Sequence, residues 1–199
     1  MAWRPDYVTA AELRSYLRIG DAVDDTQLAL NVAAASRAVD RHTHRQFGKV
    51  DAPEIRRYTA RRIGLNGCRW YVEFDDLMTA TGLTITTDAG AVDDFTLYPL
   101  NAAAEGKPWT HVKVSAESTT QPTAEDGGVS ITATWGWTAV PPPVKQATLL
   151  QASRLSARRS SPFGVAGSPD LGSELRLLAK VDPDVAVVLG PYIRWWAAA

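Results

Sequence analysis

Apolar residues spaced three and four positions apart dominate the opening of the chain and predict two helices. The first should start at a capping box, in which Thr9 is followed by Glu12, and should end at Gly20. Its apolar face would comprise Leu13, Tyr16 and Leu17. The second should start in the acidic stretch 24–26 and continue to about His42. Its apolar stripe would comprise Leu28, Val32, Ala35 and Val39.

Small side chains flank the stripe of the second helix. They are Ala29, Ala33, Ala34 and Ala38. Alanines permit close approach of another helix, so we expect these residues to pack in the core. The alternative is contact with a neighbouring subunit.

From about residue 55 the apolar period changes to two, which indicates strands. Trp70, Val72 and Phe74 would share one face of a strand, with Tyr71 and Glu73 on the other. Shorter alternating pairs follow, with turn-rich stretches between them, at Leu83 and Ile85, Phe95 and Leu97, and Val112 and Val114. The last strand has the clearest alternation, and its buried face would comprise Val129, Ile131, Ala133, Trp135 and Trp137. The middle of the chain is therefore predicted to be a small, mostly antiparallel sheet module.

Helical periodicity returns after the proline run 141–143, which ends the last strand and allows a helix to continue to residues 158–159. The apolar positions of this helix are Val144, Ala147, Leu150 and Leu155. Residues 160–173 are rich in Ser, Gly and Pro, and we expect a loop that is functional or disordered. Residues 175–180 alternate in part and predict an extended arm, with a helical turn as the alternative.

A short final helix is predicted to start at Asp182, because Pro183 is favoured in a first helical turn. This helix must tolerate Gly190 and Pro191. Its apolar positions are Val185, Val188, Leu189 and Tyr192. Trp195 and Trp196 follow it.

These elements predict an α+β fold. Its helical-bundle core would contain the two N-terminal helices, the later core helix and the short C-terminal helix, and would carry an inserted, mostly antiparallel β module. We assign residues 1–50 and 141–199 to the core with its loop and arm, and residues 51–140 to the β module.

Composition is typical of a globular protein, since 199 residues with 45% hydrophobic content can bury a core. The single cysteine, Cys68, has no partner for an intramolecular disulfide, and the N-terminus lacks the layout of a signal peptide. We therefore expect folding inside the cell. No apolar run approaches the roughly 20 residues that a spanning helix needs, so we expect a soluble protein without a membrane role.

Charge is unevenly distributed although the net charge is only -1. Lys and Arg outnumber Asp and Glu by 11 to 8 in residues 1–62 and by 7 to 4 in residues 141–199, but are outnumbered by 10 to 3 in residues 63–140. The basic runs at 56–62 and 154–159 are predicted to be a solvated strand and a helix C-terminus. The alternative is contact with a phosphate backbone, which repetition around a ring would strengthen.

Candidate chemistry is sparse. His42 and His44 lie two residues apart, on different faces of a helix, and are predicted to have surface or capping positions rather than to bind zinc. Cys68 has no partner base in a motif, so a structural thiol is expected. The acidic pairs at 75–76 and 93–94 lack the spacing of a calcium loop and are predicted to be solvated turns. We expect no catalytic residues, no cofactor, no metal and no enzymatic activity.

Three stretches of this sequence resemble the head-tail connector, or adaptor, family of long-tailed bacteriophages. The first, similar to the family's two N-terminal helices, is YVTAAELRSYLRIGDAVDDTQLALNVAAASRAVDRHTHRQF. The second, similar to its next core helix, is VPPPVKQATLLQASRLSARR. The third is SSPFGVAGSPDLGSELRLLAKVDPDVAVVLGPYIRWW, which is similar to the loop, arm and final helix of longer members from phages of actinobacteria. Together they cover about half the chain.

The resemblance implies a structural virion protein, made in the host cytoplasm, that assembles as a homo-oligomeric, typically dodecameric, ring. Its implied partners are the portal protein, the next neck or tail protein, and genomic DNA that passes through the ring without sequence-specific contacts. Docking on the portal or the adjacent subunit is assigned to Val185, Val188, Leu189, Tyr192, Ile193, Trp195 and Trp196. The assembly loop is assigned to Phe163, Val165 and Leu171. DNA-channel charges are assigned to Arg154, Arg158 and Arg159.

Two other functions compete with the adaptor. One is another neck protein, such as a stopper or tail-completion subunit. The other is a carbohydrate- or nucleic-acid-binding module that uses Trp70, Trp109, Trp135 and Trp137. Since alternation places Trp135 and Trp137 on the buried face, core packing is the preferred interpretation of both.

Overall fold

The computed structural model describes residues 3–21, 24–63, 69–159, 165–166, 175–176 and 182–195. The chain forms two compact units. One, here called the β unit, contains Met1–Arg4 and Gln46–Ala139. The other, here called the helical unit, contains Pro5–Arg45 and Val140–Ala199.

The described residues of the helical unit form four α-helices. They are α1 (Ala10–Leu17), α2 (Asp25–Thr43), α3 (Pro142–Arg159) and α4 (Pro183–Leu189), and a 3-10 turn at Gly190–Tyr192 follows α4. Two short strands, β9 (Val165–Ala166) and β10 (Leu175–Arg176), pair antiparallel. The extended arm predicted for 175–180 agrees with β10 where the structure describes it.

The first helix starts as predicted and ends earlier. The Glu12 backbone N–H donates to the Thr9 hydroxyl over 3.1 Å, and the Thr9 N–H donates to the Glu12 carboxylate over 2.6 Å, which completes the capping box. The prediction that Gly20 ends the helix is wrong, because Arg18 adopts the left-handed conformation, with φ 58°, and closes it. Tyr16, predicted on the buried face, is 40% exposed.

The second helix buries its predicted stripe. Leu28, Val32, Ala35 and Val39 are all at most 4% exposed. Asn31 on α2 donates to the Ser156 hydroxyl on α3 over 2.8 Å and joins the two helices. Core packing is wrong for two of the four flanking alanines, since Ala29 and Ala34 are exposed while Ala33 and Ala38 are half-buried.

In the β unit, the residues that the structure describes form eight strands in two antiparallel, four-stranded sheets. The strands are β1 (Glu54–Tyr58), β2 (Ala60–Ile63), β3 (Arg69–Leu77), β4 (Thr84–Thr87), β5 (Gly90–Ala91), β6 (Phe95–Tyr98), β7 (Trp109–Val114) and β8 (Val129–Ala133). Their orders are β1-β8-β4-β5 and β2-β3-β7-β6. The α+β fold class, with helices and antiparallel sheets in one chain, is therefore confirmed.

The inner faces of the two sheets share one hydrophobic core. On β3, Trp70, Val72 and Phe74 are buried, whereas Tyr71 and Glu73 are only half-buried, as the alternation predicts. The predicted face of the last strand is also buried, from Val129 to Trp137, although β8 itself ends at Ala133. Beyond the end of β8, Gly136, at φ 105°, forms isolated β-bridges with Lys49 and Leu77.

Candidate assembly site

The last helix contributes two of its predicted docking residues to the core of the helical unit. Val185 is 2% exposed and Leu189 is fully buried. They line a small cavity with Ala38, Val39, His42 and Gln151, which belong to α2 and α3. Burial of such side chains stabilises a fold by about 1.5–3 kcal/mol each. Val185 and Leu189 therefore pack α4 against α2 and α3 of the helical unit, and their side chains are not accessible to a partner.

Asp182 fixes the start of α4 in two ways. Its carboxylate accepts from the Asp184 backbone N–H over 2.8 Å, which caps the helix as predicted. The same carboxylate accepts from the Arg154 guanidinium over 2.8 Å, with about a quarter of each side chain exposed. The positive charge of Arg154 is therefore balanced within the helical unit.

The other two predicted channel charges have different surroundings. Arg158 is half-buried at the end of α3. The side chain of Arg159 lies outside the described residues. Arg154 therefore has a local ion-pair partner in Asp182, and the assignment of the three arginines to a DNA channel stays a prediction.

The segment after α4 is tied back to the end of α2. The Arg194 backbone N–H donates to the Thr43 carbonyl over 2.8 Å, and Arg194 is only 6% exposed. The Arg45 guanidinium donates to the Tyr192 carbonyl over 2.8 Å. These bonds hold the backbone on both sides of Ile193. Trp195 consequently follows directly after an anchored residue.

Large apolar side chains are exposed around this anchored segment. Trp195 is 83% exposed and Val187 is 76% exposed, whereas Val188, Tyr192 and Ile193 are half-buried. We call the segment that contains these five residues, 187–195, the C-terminal end. Val187 is not among the docking residues predicted from the sequence, although its position between Val185 and Leu189 on a short helix indicates that it faces outward.

The predicted assembly loop is only partly described. Phe163, Leu171 and the docking residue Trp196 lie outside the described residues. The backbone of Val165 pairs with Arg176 between β9 and β10. Cys68, predicted to be a structural thiol, also lies outside the described residues.

His42 has a different position from the one predicted. It is half-buried rather than at the surface, and its Nε2 atom is inaccessible and has no hydrogen-bond partner among the residues that the structure describes. The surface prediction fails because α3 and α4 cover that side of α2. His44 is the exposed C-cap residue of α2, in the left-handed conformation at φ 53°, so its capping position is confirmed.

In the part of the chain that the structure describes, no group of three or more His, Cys, Asp or Glu side chains is arranged to hold a metal ion. None of the described helices is both long and apolar enough to cross a membrane.

The acidic pair at 75–76 belongs to strand β3, so the prediction of a solvated turn is wrong there. Asp76 is 4% exposed and accepts from the Trp137 indole N–H over 2.7 Å. Asp75 accepts from Arg56 over 2.7 Å and from the Tyr58 hydroxyl over 2.9 Å. Burial, followed by the nearby Asp75 charge, raises the pKa of Tyr58.

The pair at 93–94 lies outside the strands, as predicted. Asp93 accepts from the Ser118 hydroxyl over 2.7 Å, from the Thr119 hydroxyl over 2.8 Å and from the Thr119 backbone N–H over 3.1 Å. These bonds, that from Ser118 foremost, lower the pKa of Asp93 to about 2. Asp93 therefore holds the 115–121 turn in place through its ionised form.

The basic run at 56–62 is not uniformly solvated. The Arg56 guanidinium lies 4.2 Å from the ring centroid of Trp3 and 5.1 Å from that of Trp135, and it pairs with Asp75 and Glu54. This arginine is part of the packing of the β unit. Arg57, Arg61 and Arg62 are exposed.

The tryptophans that a carbohydrate- or nucleic-acid-binding module would use for stacking are largely core residues. Trp135 is fully buried, Trp137 is 4% exposed and Trp70 is 8% exposed. The Trp135 indole donates to the Glu54 carbonyl over 2.9 Å. The preference for core packing of Trp135 and Trp137 is therefore confirmed.

The arrangement as a whole defines an α+β protein with a compact helical unit, a two-sheet β unit and an anchored, apolar C-terminal end. A comparison with solved structures matches it to a chain described as "Neck of empty GTA particle computed with C6 symmetry". That chain is 19% identical, the match covers 100% of the present chain and 95% of the other, and the TM-score is 0.56. The two chains share a fold. No protein-family model and no curated protein matches the sequence.

Proposed function

We propose that this chain is a structural virion protein of the neck, a head-to-tail adaptor subunit that forms a ring, docks on the portal and extends the DNA channel toward the tail. The observation that carries the proposal is the likeness of the whole chain, in both its units, to a chain from the neck of a GTA particle, a phage-like gene transfer agent. The resemblance of its N-terminal helices, core helix and C-terminal stretch to the connector family supports the same function.

The C-terminal end is the part of the helical unit best suited to docking. An exposed tryptophan contributes much to an interface when it enters a pocket, because it buries a large apolar surface and loses few rotamers. Trp195 is 83% exposed yet follows a residue anchored to α2, so little backbone entropy is lost when it binds. Val187 provides a second exposed apolar contact.

The proposal involves no catalysis, cofactor or metal, and its partners are copies of the chain, the portal protein, the next neck or tail protein and passing DNA. A second function, that of another neck component such as a stopper, has the same structural support, since the matched chain is described only as neck. The two differ in their partner. An adaptor binds the portal directly, whereas a stopper binds a ring that is already assembled.

Electron microscopy of the purified protein, alone and mixed with its portal protein, tests the proposal. We expect rings on the portal, and their rotational symmetry gives the copy number. Rings that form only with another neck protein would favour the stopper. A strictly monomeric species in every mixture would refute both functions.

A further inference from the structure

The outer face of the sheet β2-β3-β7-β6 carries an aromatic row. The Tyr71 and His111 ring centroids are 4.7 Å apart, and the His111 and Tyr98 centroids are 5.4 Å apart with the rings 9° from parallel. All three side chains are half-buried and alternate with core residues of their strands. The row therefore crosses three neighbouring strands on the side that faces away from the core of the β unit.

Cations border this row. Arg61 lies opposite Tyr71 across the β2 and β3 ladder, and Arg69 precedes Tyr71 by two residues on the same face. Both arginines are exposed, and neither forms an ion pair with any residue that the structure describes. Lys113 lies opposite Tyr71 on β7, and its ammonium is 4.3 Å from the Tyr98 ring centroid.

Acidic groups are fewer on this face. Glu73 shares it, opposite His111. Asp75, further along β3, is ion paired with Arg56. The described part of the face thus combines three cations and three aromatic rings with the carboxylates of Glu73 and Asp75, of which Asp75 is ion paired with Arg56. We name it the Tyr-His face, defined by Arg61, Arg69, Tyr71, Tyr98, His111 and Lys113.

We infer that the Tyr-His face binds single-stranded nucleic acid without sequence specificity, through phosphate contacts from Arg61, Arg69 and Lys113 and base contacts on the aromatic row. A sheet surface that joins cations to aromatic rings suits a polyanion whose bases are free to leave their stack. A duplex keeps its bases stacked inside and would use only the cations. The inference is independent of the proposed neck function.

The positive charge of the Tyr-His face is not evident from the net charge of the chain. Residues 63–140 carry 10 acidic against 3 basic residues, yet two of those three basic residues, Arg69 and Lys113, lie on this face. Strand β2 adds Arg61 from outside that segment. Alternation therefore collects positive charge on one surface of an otherwise acidic region.

Fluorescence anisotropy of a labelled oligothymidylate, titrated with the full-length chain at several salt concentrations, tests the inference. We expect saturable binding whose logarithm falls with the logarithm of salt at a slope of roughly −2, since each phosphate contact on a single strand contributes about 0.7. A matching duplex should bind more weakly. Absence of saturable binding at low salt, or a duplex that binds as tightly as the single strand, would overturn the inference.

Neutralisation of the exposed cations locates the site. The double variant Arg61→Gln, Arg69→Gln should bind roughly tenfold more weakly, and its salt slope should fall to about −0.7 because one contact remains. Arg57→Gln is the matched control, since Arg57 is exposed on β1 in the other sheet. Equal weakening by the control would show a general charge effect and refute the assignment to this face.

The aromatic contribution has its own pair of variants. Tyr71→Leu removes the ring and should weaken single-strand binding at least about fivefold, whereas Tyr71→Phe keeps the ring and should bind like the wild type. Thermal unfolding of each variant checks the fold. Equal affinities for the leucine and phenylalanine variants would contradict base contact by the row.

Discussion

At the scale of single residues, Gly136 shows how one position can decide the local path of the chain. Its φ is 105°, and a Cβ atom placed on it would lie 2.0 Å from the Gly48 carbonyl oxygen. The Gly136 N–H also donates to the Asp76 carbonyl over 2.7 Å. Backbone segments therefore meet at this glycine so closely that no side chain fits.

We expect Gly136→Ala to lower the free energy of unfolding by at least about 3 kcal/mol, because backbone must move to relieve the overlap. Urea denaturation followed by tryptophan fluorescence measures this loss. Gly82→Ala is the control, since Gly82 also has positive φ, at 74°, but open space around it. The control should lose only about 1–2 kcal/mol, the cost of the left-handed conformation. Equal losses would contradict the overlap.

Asp93 makes the stability of the β unit depend on pH. Its pKa falls from an ordinary 3.8 to about 2 in the folded chain because Ser118 and Thr119 donate to the carboxylate. The unfolded chain therefore binds the proton first as pH falls. The stabilisation is present above about pH 4 and is lost as pH falls toward 2.

We expect Asp93→Asn to reduce the slope of stability against pH between about 4 and 2, because the amide has no charge to lose. The melting temperature measured across this range provides the slope. Asp94→Asn changes the neighbouring carboxylate and serves as the control. A slope that falls more with the Asp94 variant than with the Asp93 variant would contradict the assignment.

At the scale of elements, α4 is too short to be stable alone and depends on its contacts. Two buried apolar residues hold its inner side, and Asp182 holds its start both as N-cap and as the partner of Arg154. The cap requires only a hydrogen-bond acceptor, whereas the ion pair requires a negative charge. An uncharged side chain with an oxygen acceptor can therefore replace Asp182 as the N-cap but interacts only weakly with Arg154.

We expect Asp182→Ala to destabilise α4 by about 1 kcal/mol or more, and Asp182→Asn to retain most of the cap. Hydrogen exchange at the amides of residues 186–189 reports the local opening. Arg154→Met removes the ion pair alone and should resemble the asparagine variant. If asparagine and alanine opened α4 equally, the ion pair rather than the cap would hold the helix.

Strand β3 illustrates which element properties follow from pattern. The alternation of Trp70, Val72 and Phe74 with Tyr71 was sufficient to predict its buried and outer faces, because strand geometry sends successive side chains to opposite sides. The same alternation continues to Asp76, although the acidic pair at 75–76 was predicted to be a solvated turn. A carboxylate in a buried strand position becomes favourable only through its partner, here the Trp137 indole, which is distant in sequence.

At the scale of the whole molecule, the apolar residues of the C-terminal end are of two kinds: some are buried and hold α4 in the helical unit, and others are exposed. Leu189 is fully buried, whereas Trp195 is 83% exposed. Side chains of the first kind affect stability, and side chains of the second kind affect association. Two variants can therefore distinguish folding from the proposed docking.

We expect Leu189→Ala to lower the free energy of unfolding by about 2–5 kcal/mol. Trp195→Ala should change stability by less than about 0.5 kcal/mol but reduce association with the portal. Chemical denaturation and analytical ultracentrifugation with the portal protein measure the two effects. Unchanged association of the Trp195 variant would contradict docking through this residue.

Much of the helical unit was predictable from local pattern, since the Thr9 capping box, the α2 stripe and the Asp182 start all depend on neighbours a few residues away. The end of α1 at Arg18 was not predictable in this way, because the left-handed conformation of a residue other than glycine depends on its surroundings. For the candidate site, the sequence predicted an apolar C-terminal end. It assigned docking to buried Val185 as well as to exposed Trp195, and it left out exposed Val187.

The sequence by itself determined the α+β class, the alternating faces of β3 and β8 and the starts of α1 and α4, because each depends on spacing along one element. Only the tertiary structure decided which apolar residues of the C-terminal end are exposed, how Asp75 and Asp76 are paired and which side chains form the Tyr-His face. Those properties arise where strands or helices distant in sequence meet. Burial, charge compensation and cross-strand contact are set there by partners that no local pattern specifies.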